Sequence, residues 1–419
     1  MLSRFLSRCF NIILLLPHPF AAGNASEELY FGLLAARRSG KRLVVLTAFD
    51  LPGPLRLPLL DFALLDVESP YLKFRISDKR LYPVRAVWTL WCGLFRLMSE
   101  WRQRLGLDAL PNRLILPSRP QKLLYMPHER VSTLDWDIVK AMDWPSQFAV
   151  PLAISIPKET ASVGEKMLRD MGIESGDWFA CLHVRESSTW NDHDSVRDWN
   201  ILSYIKLIQS VTSRGGWVIR MGDASMTPLP QMDGVIDYAL SPWKTPSMDL
   251  FLLSSCRVYI GTQSGILETA SLFDVPRLIT NVVEPMWALS YKPRDFSAHM
   301  SMVDRLTNEP LNPMQLISRN FRAEARLLAI DDIDLLAQPE AQLKRVADEF
   351  LDWVDSGCPD IPRDGRSIDF QIEMKKAMTV WSLPGATEVE LLCESYRWAA
   401  RVYAVSPERV YDTWSTGNS

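Results

Sequence analysis

The fold turns on two stretches read together: Phe179-Ala180-Cys181-Leu182-His183-Val184-Arg185-Glu186 and Ser255-Cys256-Arg257-Val258-Tyr259-Ile260-Gly261-Thr262-Gln263-Ser264-Gly265. Each is a short apolar run that ends in polar residues. Trp217-Val218-Ile219-Arg220-Met221-Gly222-Asp223, between them, has the same form. Continuous apolar runs of this length, bounded by turn signals, read as strands buried on both faces. Polar residues at the C-terminal ends of such strands are how an open parallel sheet presents a ligand crevice.

Working outward, helical spacing alternates with these strands. Lys158 to Met171 is a helix ended by Gly172 to Asp177, and Asn200 to Ser213 is an amphipathic helix closed by Arg214-Gly215-Gly216. Val235-Ile236-Asp237-Tyr238 reads as a further strand and Met248 to Ser254 as a helix. Ser264 opens another helix before Val275-Pro276, and Arg277 to Thr280 is the next strand. Repeated βα units predict an α/β fold with a doubly wound parallel sheet. Upstream, Asn11 to Leu16, Glu27 to Arg38 and Lys41 to Ala48 give strand, helix and strand, the start of a second α/β domain. The competing reading makes Arg4, Arg8 and the run Phe10 to Leu16 a short signal peptide; the βαβ unit needs its first strand, which favours the strand. Asp61 to Asp66 is expected to be another strand.

Val84 to Leu107 is one long helix whose apolar positions include Val87, Trp88, Trp91, Phe95, Met98, Trp101 and Leu105, with Arg96, Arg102 and Arg104 among them. Such a helix suits peripheral contact with a membrane surface. A stripe of this kind more often faces a core, and a core is the expectation here. The organisation expected is a first α/β domain over 1–165, a second over 166–325 and a helical extension over 326–419. In the extension Ala341 to Val354 shows the clearest 3.6-residue period, with Val389 to Val402 and Pro407 to Trp414 as shorter helices.

At 419 residues the chain has room for two cores. A net charge of -4 argues against a nucleic-acid partner. The six cysteines are scattered, without a CxxC pair or zinc spacing, and read as free thiols in a reducing, cytoplasmic setting. No apolar run reaches the ~18 residues of a membrane span, so any contact with an inner membrane would be peripheral. There is no Walker loop, no G-x-G-x-x-G and no G-x-S-x-G, which removes the commonest ATPase, dehydrogenase and hydrolase readings.

The candidate chemistry sits in the strand-end loops. In Gly261-Thr262-Gln263-Ser264-Gly265 a strand ends, small residues turn, and a helix starts. Free backbone N–H groups and a glycine that allows close approach suit a diphosphate, with Thr262 and Ser264 as hydroxyl donors; Ser264 as a plain N-cap competes. Glu268, four residues on, faces the same side and suits ribose hydroxyls or the helix dipole. Arg185 can stabilise the charge on a departing diphosphate without a metal; pairing with Glu186 is its structural alternative. His183 shares a face with Arg185 by strand alternation. Asp135-Trp136-Asp137 and Asp192-His193-Asp194 have the D-x-D form of metal-dependent transferases, a pattern short enough to arise by chance.

Cys181-Leu182-His183-Val184-Arg185-Glu186, Arg214 to Asp223, Gly234 to Tyr238 and Gly261 to Gly265 together resemble a bacterial family of glycosyltransferases. That family is similar in turn to the GDP-fucose-dependent fucosyltransferases, which carry an H-x-R element at an equivalent strand end. The resemblance covers Asp177 to Thr280. It implies a GT-B fold, two Rossmann-like domains facing across a cleft, and inverting transfer without a metal or other cofactor. The partners it implies are a nucleoside-diphosphate sugar, GDP-linked in the relatives, and a glycan or lipid-linked acceptor. Arg185 would be the diphosphate ligand, with Ser264 and Gly265 as the phosphate loop and Arg220, Gly222, Asp223, Thr262, Gln263 and Glu268 completing the donor site. The loop after the first strand would face the cleft, which makes Glu27 or Glu28 the candidate general base, with Asp192 or His193 as rivals. Arg197-Asp198-Trp199-Asn200 departs from the Arg-Asn-x-Asp expected after the H-x-R element. Two other functions fit the same residues: a nucleotide-sugar epimerase, and an inactive domain that binds glycans or partners.

Overall fold

The β-branched and aromatic runs become strands, and their order in the sheet sets where a ligand can bind. A computed structural model describes residues 11–17, 22–49, 62–107, 151–186, 197–282, 294–309, 311 and 333–359. Inter-residue contacts divide the chain into two compact units, one of Met1–Glu165, Thr245–Ser254 and Glu268–Phe273, the other of Lys166–Lys244, Ser255–Leu267 and Asp274–Ser419.

In the first unit β1 (Ile12–Leu15) and β2 (Arg42–Val45) pair in parallel across the helix α1 (Ala22–Ser39). Ala25, Leu29, Leu33, Leu34 and Ala36 are all buried, and so are Ser26 and Glu28, which makes α1 an interior helix. Gly32 lets it approach the strands: a Cβ there would sit 3.1 Å from the Leu43 side chain. Residues 62–65, expected as a strand, form one turn of 3-10 helix instead. A four-residue apolar run is too short for its period to separate the two.

The helix α2 (Tyr82–Arg104) fills the predicted stretch. Its buried side is narrow: Arg85, Thr89 and Cys92. The guanidinium of Arg85 donates to the carbonyls of Thr47, Ile76 and Ala48 and lies 4.2 Å over the Phe49 ring. The long apolar stripe, expected to face a core, faces outward, with Val87 68% and Trp101 65% exposed. The core expectation fails because the residues that do pack lie on the opposite side of the helix.

The second unit is built on six parallel strands: β3 (Phe179–His183), β4 (Trp217–Arg220), β5 (Val235–Ile236), β6 (Val258–Gly261), β7 (Arg277–Val282) and β8 (Asp295–His299). Their order is β5-β4-β3-β6-β7-β8. Counted from β3 this is 3-2-1-4-5-6, the doubly wound order in which the chain reverses direction between the first and fourth strands. In chain order the helices α3 (Lys158–Asp170), α4 (Ile205–Thr212), α5 (Pro246–Ser255) and α6 (Gly265–Ser271) alternate with the strands, although residues 158–165, 246–254 and 268–271 of these helices are grouped with the first unit. On one face Leu182, Val184, Val218, Ile260, Leu278 and Phe296 pack against Leu207, Ile208 and Val211 of α4 and against Leu343, Val346 and Phe350 of α7 (Glu340–Asp355). Phe296, Phe350 and Trp353 form an aromatic cluster with centroids 4.8 to 6.2 Å apart. Each fully buried Leu or Phe contributes about 1.5–3 kcal/mol. Arg214 anchors the outer side of α7 through Asp352 at 2.7 Å and Asp355 at 3.0 Å.

Residues 333–336, expected to be helical, form β10 (Ile333–Leu336), antiparallel to β9 (Ser301–Asp304). Val235–Tyr238 pairs for two residues only, and Tyr238–Leu240 turns into a 3-10 helix. Cys92, Cys181, Cys256 and Cys358 are free thiols. No described helix is long and apolar enough to cross a membrane.

Arg277 and Asp295 are direct cross-strand partners in β7 and β8. Both side chains have no exposed surface, and they meet in two bonds, Nε to Oδ1 at 2.7 Å and Nη2 to Oδ2 at 2.6 Å. A third bond runs from Nη1 to the carbonyl of Leu267 in α6 at 3.1 Å. Removing one partner strands a buried charge, which costs about 3–5 kcal/mol. Asp295→Ala is therefore expected to lower the unfolding free energy by about that much. Arg277→Met with Asp295→Leu should recover most of the loss; equilibrium urea unfolding of the three proteins checks both statements.

Candidate functional site

The crevice at a topological switch point lies beyond the C-terminal ends of the strands that flank it. Here those strands are β3 and β6. The residues that follow them are Val184 to Glu186 and Thr262 to Gly265, the two stretches on which the sequence reading rests.

The two loops are joined by main-chain contacts. Thr262 N–H donates to the His183 carbonyl at 3.0 Å, and Arg185 N–H donates to Thr262 Oγ1 at 2.9 Å. Gly261 makes this possible, since a Cβ there would stand 2.3 Å from the His183 carbonyl oxygen. Thr262, Gln263 and Ser264 are buried and Gly265 is exposed. The loop thus turns backbone, rather than the Thr262 and Ser264 hydroxyls, toward the outside. Ser264 Oγ lies near the buried Tyr259 hydroxyl without meeting it in hydrogen-bond geometry. Burial raises the Tyr259 phenol above its ordinary range. One turn on, Glu268 is buried as well.

Below the loop, Thr280 Oγ1 donates to the Gly261 carbonyl at 3.1 Å. That proton is then used, so the Tyr204 hydroxyl at 2.8 Å must donate to Thr280, and Asn281 Nδ2 donates to Tyr204 at 3.0 Å. This buried chain fixes the height of the β6 end.

Arg185 leaves the end of β3 nearly covered, with 12% of its side chain exposed and its Nε 3.4 Å from Asp198 Oδ1. Trp199 N–H donates to the Arg185 carbonyl at 2.9 Å. The Arg197-Asp198-Trp199-Asn200 stretch therefore returns to the β3 end and holds Arg185, and Asn200 Oδ1 caps the next turn by accepting from Leu202 N–H. Asp198 is a functional candidate that the strand-end pattern alone misses. The signal was there, in the departure of this stretch from the family motif.

Glu186 does not serve Arg185 as its structural alternative supposes. It binds Arg220, at 2.9 Å, together with Asp237 at 3.0 Å. Arg220 also donates to the Thr227 carbonyl, while Thr227 N–H and Leu229 N–H donate to Glu186 and Asp237. Arg220, expected among the donor ligands, is wholly buried and braces the loop after β4. Gly222 in that loop has φ 150° and no room for a Cβ, which would meet Met226 Sδ at 2.1 Å. Asp223 Oδ1 accepts from Ser225 N–H at 2.9 Å and shapes the turn.

Among the first-unit candidates, Glu28 is buried in α1. The side chain of Glu27, and Asp135, Asp137, Asp192, His193 and Asp194, lie outside the described residues.

No protein-family model matches the chain. No curated protein matches it either. Among solved structures, glycosyl transferase family 9 from Veillonella parvula DSM 2008 superposes with a TM-score of 0.42 at 10% identity, over 69% of this chain and 85% of that one. The E. coli ADP-heptose LPS heptosyltransferase II superposes with a TM-score of 0.38 at 12% identity, over 64% and 83%.

His183 is buried, and Nδ1 stands 3.2 Å from the Met221 carbonyl. A carbonyl only accepts, so Nδ1 carries the proton and Nε2 the lone pair. Burial first, then the neighbouring charges of Arg220 and Lys244, push its pKa down to about 4. The unfolded chain takes up this proton first. The contribution of the neutral ring to stability is complete above pH 6.5 and is lost as pH falls toward 4, at up to about 1.4 kcal/mol per pH unit. Urea unfolding between pH 7.5 and pH 4.5 is expected to show that slope in the native protein and a flatter one in His183→Gln.

Proposed function

We propose that the chain is a glycosyltransferase of GT-B type, whose second unit holds a nucleoside-diphosphate sugar at the switch point of its sheet. One observation carries the reading: Arg185 and the Thr262–Gly265 loop are bonded together at the end of the two strands where the chain reverses. An always-charged guanidinium carried at the β3 end and a loop with an exposed glycine backbone at the β6 end are a combination suited to diphosphate. The residues at the crevice, rather than a likeness of fold, are what support this reading.

In the proposed reaction the oxygen of an acceptor hydroxyl, on a glycan or a lipid-linked sugar, forms a bond to the anomeric carbon. The bond from that carbon to the diphosphate breaks, its electron pair leaves on the diphosphate oxygen, and a carboxylate takes the hydroxyl proton. Arg185 stabilises the charge that gathers on the leaving group, and Asp198 positions it. His183 Nε2 keeps its lone pair above about pH 5, given a pKa of about 4. Attack opposite the leaving group inverts the anomeric centre. Arg185 and the loop supply the charge stabilisation, so transfer needs no metal in this reading. The proposed proton acceptor is Glu27 or Glu28, which α1, starting at Ala22, carries in its second turn rather than at its start as the sequence suggests.

A ligand that binds only the folded protein stabilises it by about 2.7 kcal/mol at a hundredfold excess over its dissociation constant. A thermal-shift panel of GDP, UDP, dTDP, ADP and CMP is expected to show a rise in Tm with one nucleoside diphosphate. That rise should be unchanged by Mg²⁺ and lost in Arg185→Ala, with the Tm of the unliganded variant nearly unaltered. Glu28→Gln should keep the shift and lose turnover. A changed nucleotide sugar in the absence of acceptor would point to an epimerase, and a flat panel to a domain without a donor site.

A further inference from the structure

We propose that α2 docks the protein on an anionic lipid bilayer, lying in the interface with its outward apolar face among the acyl chains. The argument is independent of the reaction assigned above. Val84, Val87, Trp91, Leu94, Met98, Trp101 and Leu105 recur at alternating steps of three and four residues, which places them on one side of the helix. Leu90 and Leu97 widen that side. All nine are between 48% and 68% exposed. At 1.5 Å per residue the face runs for about 32 Å. Single exposed apolar residues are ordinary, but a contiguous face of this length marks an interaction surface.

Charge selects the occupant. Leaving aside the buried Arg85, the helix carries Arg96, Arg102 and Arg104 against Glu100, a net charge of +2, in a chain whose total is -4. Arg102 and Arg104 sit in its last turn, and the exposed Lys79 comes just before its first, beside Arg80, which is paired with Asp78 at 2.6 Å. Two copies of such a helix would set like charges against each other, whereas an anionic headgroup layer matches them. Two tryptophans on an apolar face flanked by arginines is the composition of an interfacial helix. The buried side holds its place through Arg85 and Thr89: Arg85 donates to three carbonyls, and Thr89 Oγ1 accepts from Phe49 N–H at 2.6 Å. The exposed residues are therefore not needed to keep the helix on the domain.

The test is co-sedimentation of the full chain with vesicles, either of phosphatidylcholine alone or of phosphatidylcholine and phosphatidylglycerol in equal parts. The protein is expected to sediment with the anionic vesicles at low salt and at least about tenfold more weakly with neutral ones, since each basic residue near an anionic surface is worth about fivefold in binding. Arg102→Glu with Arg104→Glu should cut binding by more than about tenfold. Trp91→Glu with Trp101→Glu should abolish it with an unchanged circular dichroism spectrum; if that pair fails to fold, the arginine pair still decides. A full chain that stays in the supernatant with anionic vesicles overturns the proposal, as does equal binding by either folded variant. A lipid-free dimer that the tryptophan pair disperses, with no vesicle binding, also overturns it and gives the face to a second copy.

Discussion

A guanidinium with no exposed surface has to be matched atom by atom, and the second unit is arranged around two such groups. Arg277 is held by Asp295 across β7 and β8 and reaches the carbonyl of Leu267. Arg220 is held by Glu186 and Asp237 and reaches that of Thr227. Desolvating charges is expensive, and the geometry must be good to offset it. What the pairs provide is register. One ties the helix after β6 to the far edge of the sheet. The other ties the ends of β3, β4 and β5 to the loop between the last two. The crevice between β3 and β6 lies between these two fixed points.

Much of this was legible in the sequence, because buried parallel strands announce themselves by continuous apolarity and their ends by sudden polarity. The strands β1 to β7, and the helices between them, fall where the pattern puts them, with β5 cut to two residues, while β8 was not foreseen. Failures came where pattern carries no information. Residues 62–65 and 333–336 are short apolar runs whose period is ambiguous, and each took the other form. The stripe of α2 has the right period, but period gives a direction only relative to a neighbour, and the packed side turned out to be the polar one with Arg85 and Thr89.

At the site, the backbone roles were legible and the side-chain pairings were not. Gly261 and Gly222 stand where close approach or an unusual φ demands them. Which carboxylate meets which arginine depends on contacts far apart in sequence. Glu186 adjoins Arg185 yet binds Arg220, while Asp198, thirteen positions from Arg185, is the one that approaches it. Arg220 ends β4 and Arg277 opens β7, each wholly buried at the margin of an apolar run. A charged residue in that position is itself the mark of a buried ion pair.

The place of α7 in the core has a consequence for biosynthesis. The sheet from β3 to β8 is complete by residue 299, but one of its faces is covered in part by Leu343, Val346, Phe350 and their neighbours. A chain emerging from the ribosome therefore displays that apolar surface until the helix follows it out. Long-range closure of this kind is slow and leaves partly folded chains prone to associate. The second unit is in this sense a late folder, and interruption of translation before residue 340 would release a doubly wound sheet with an open side.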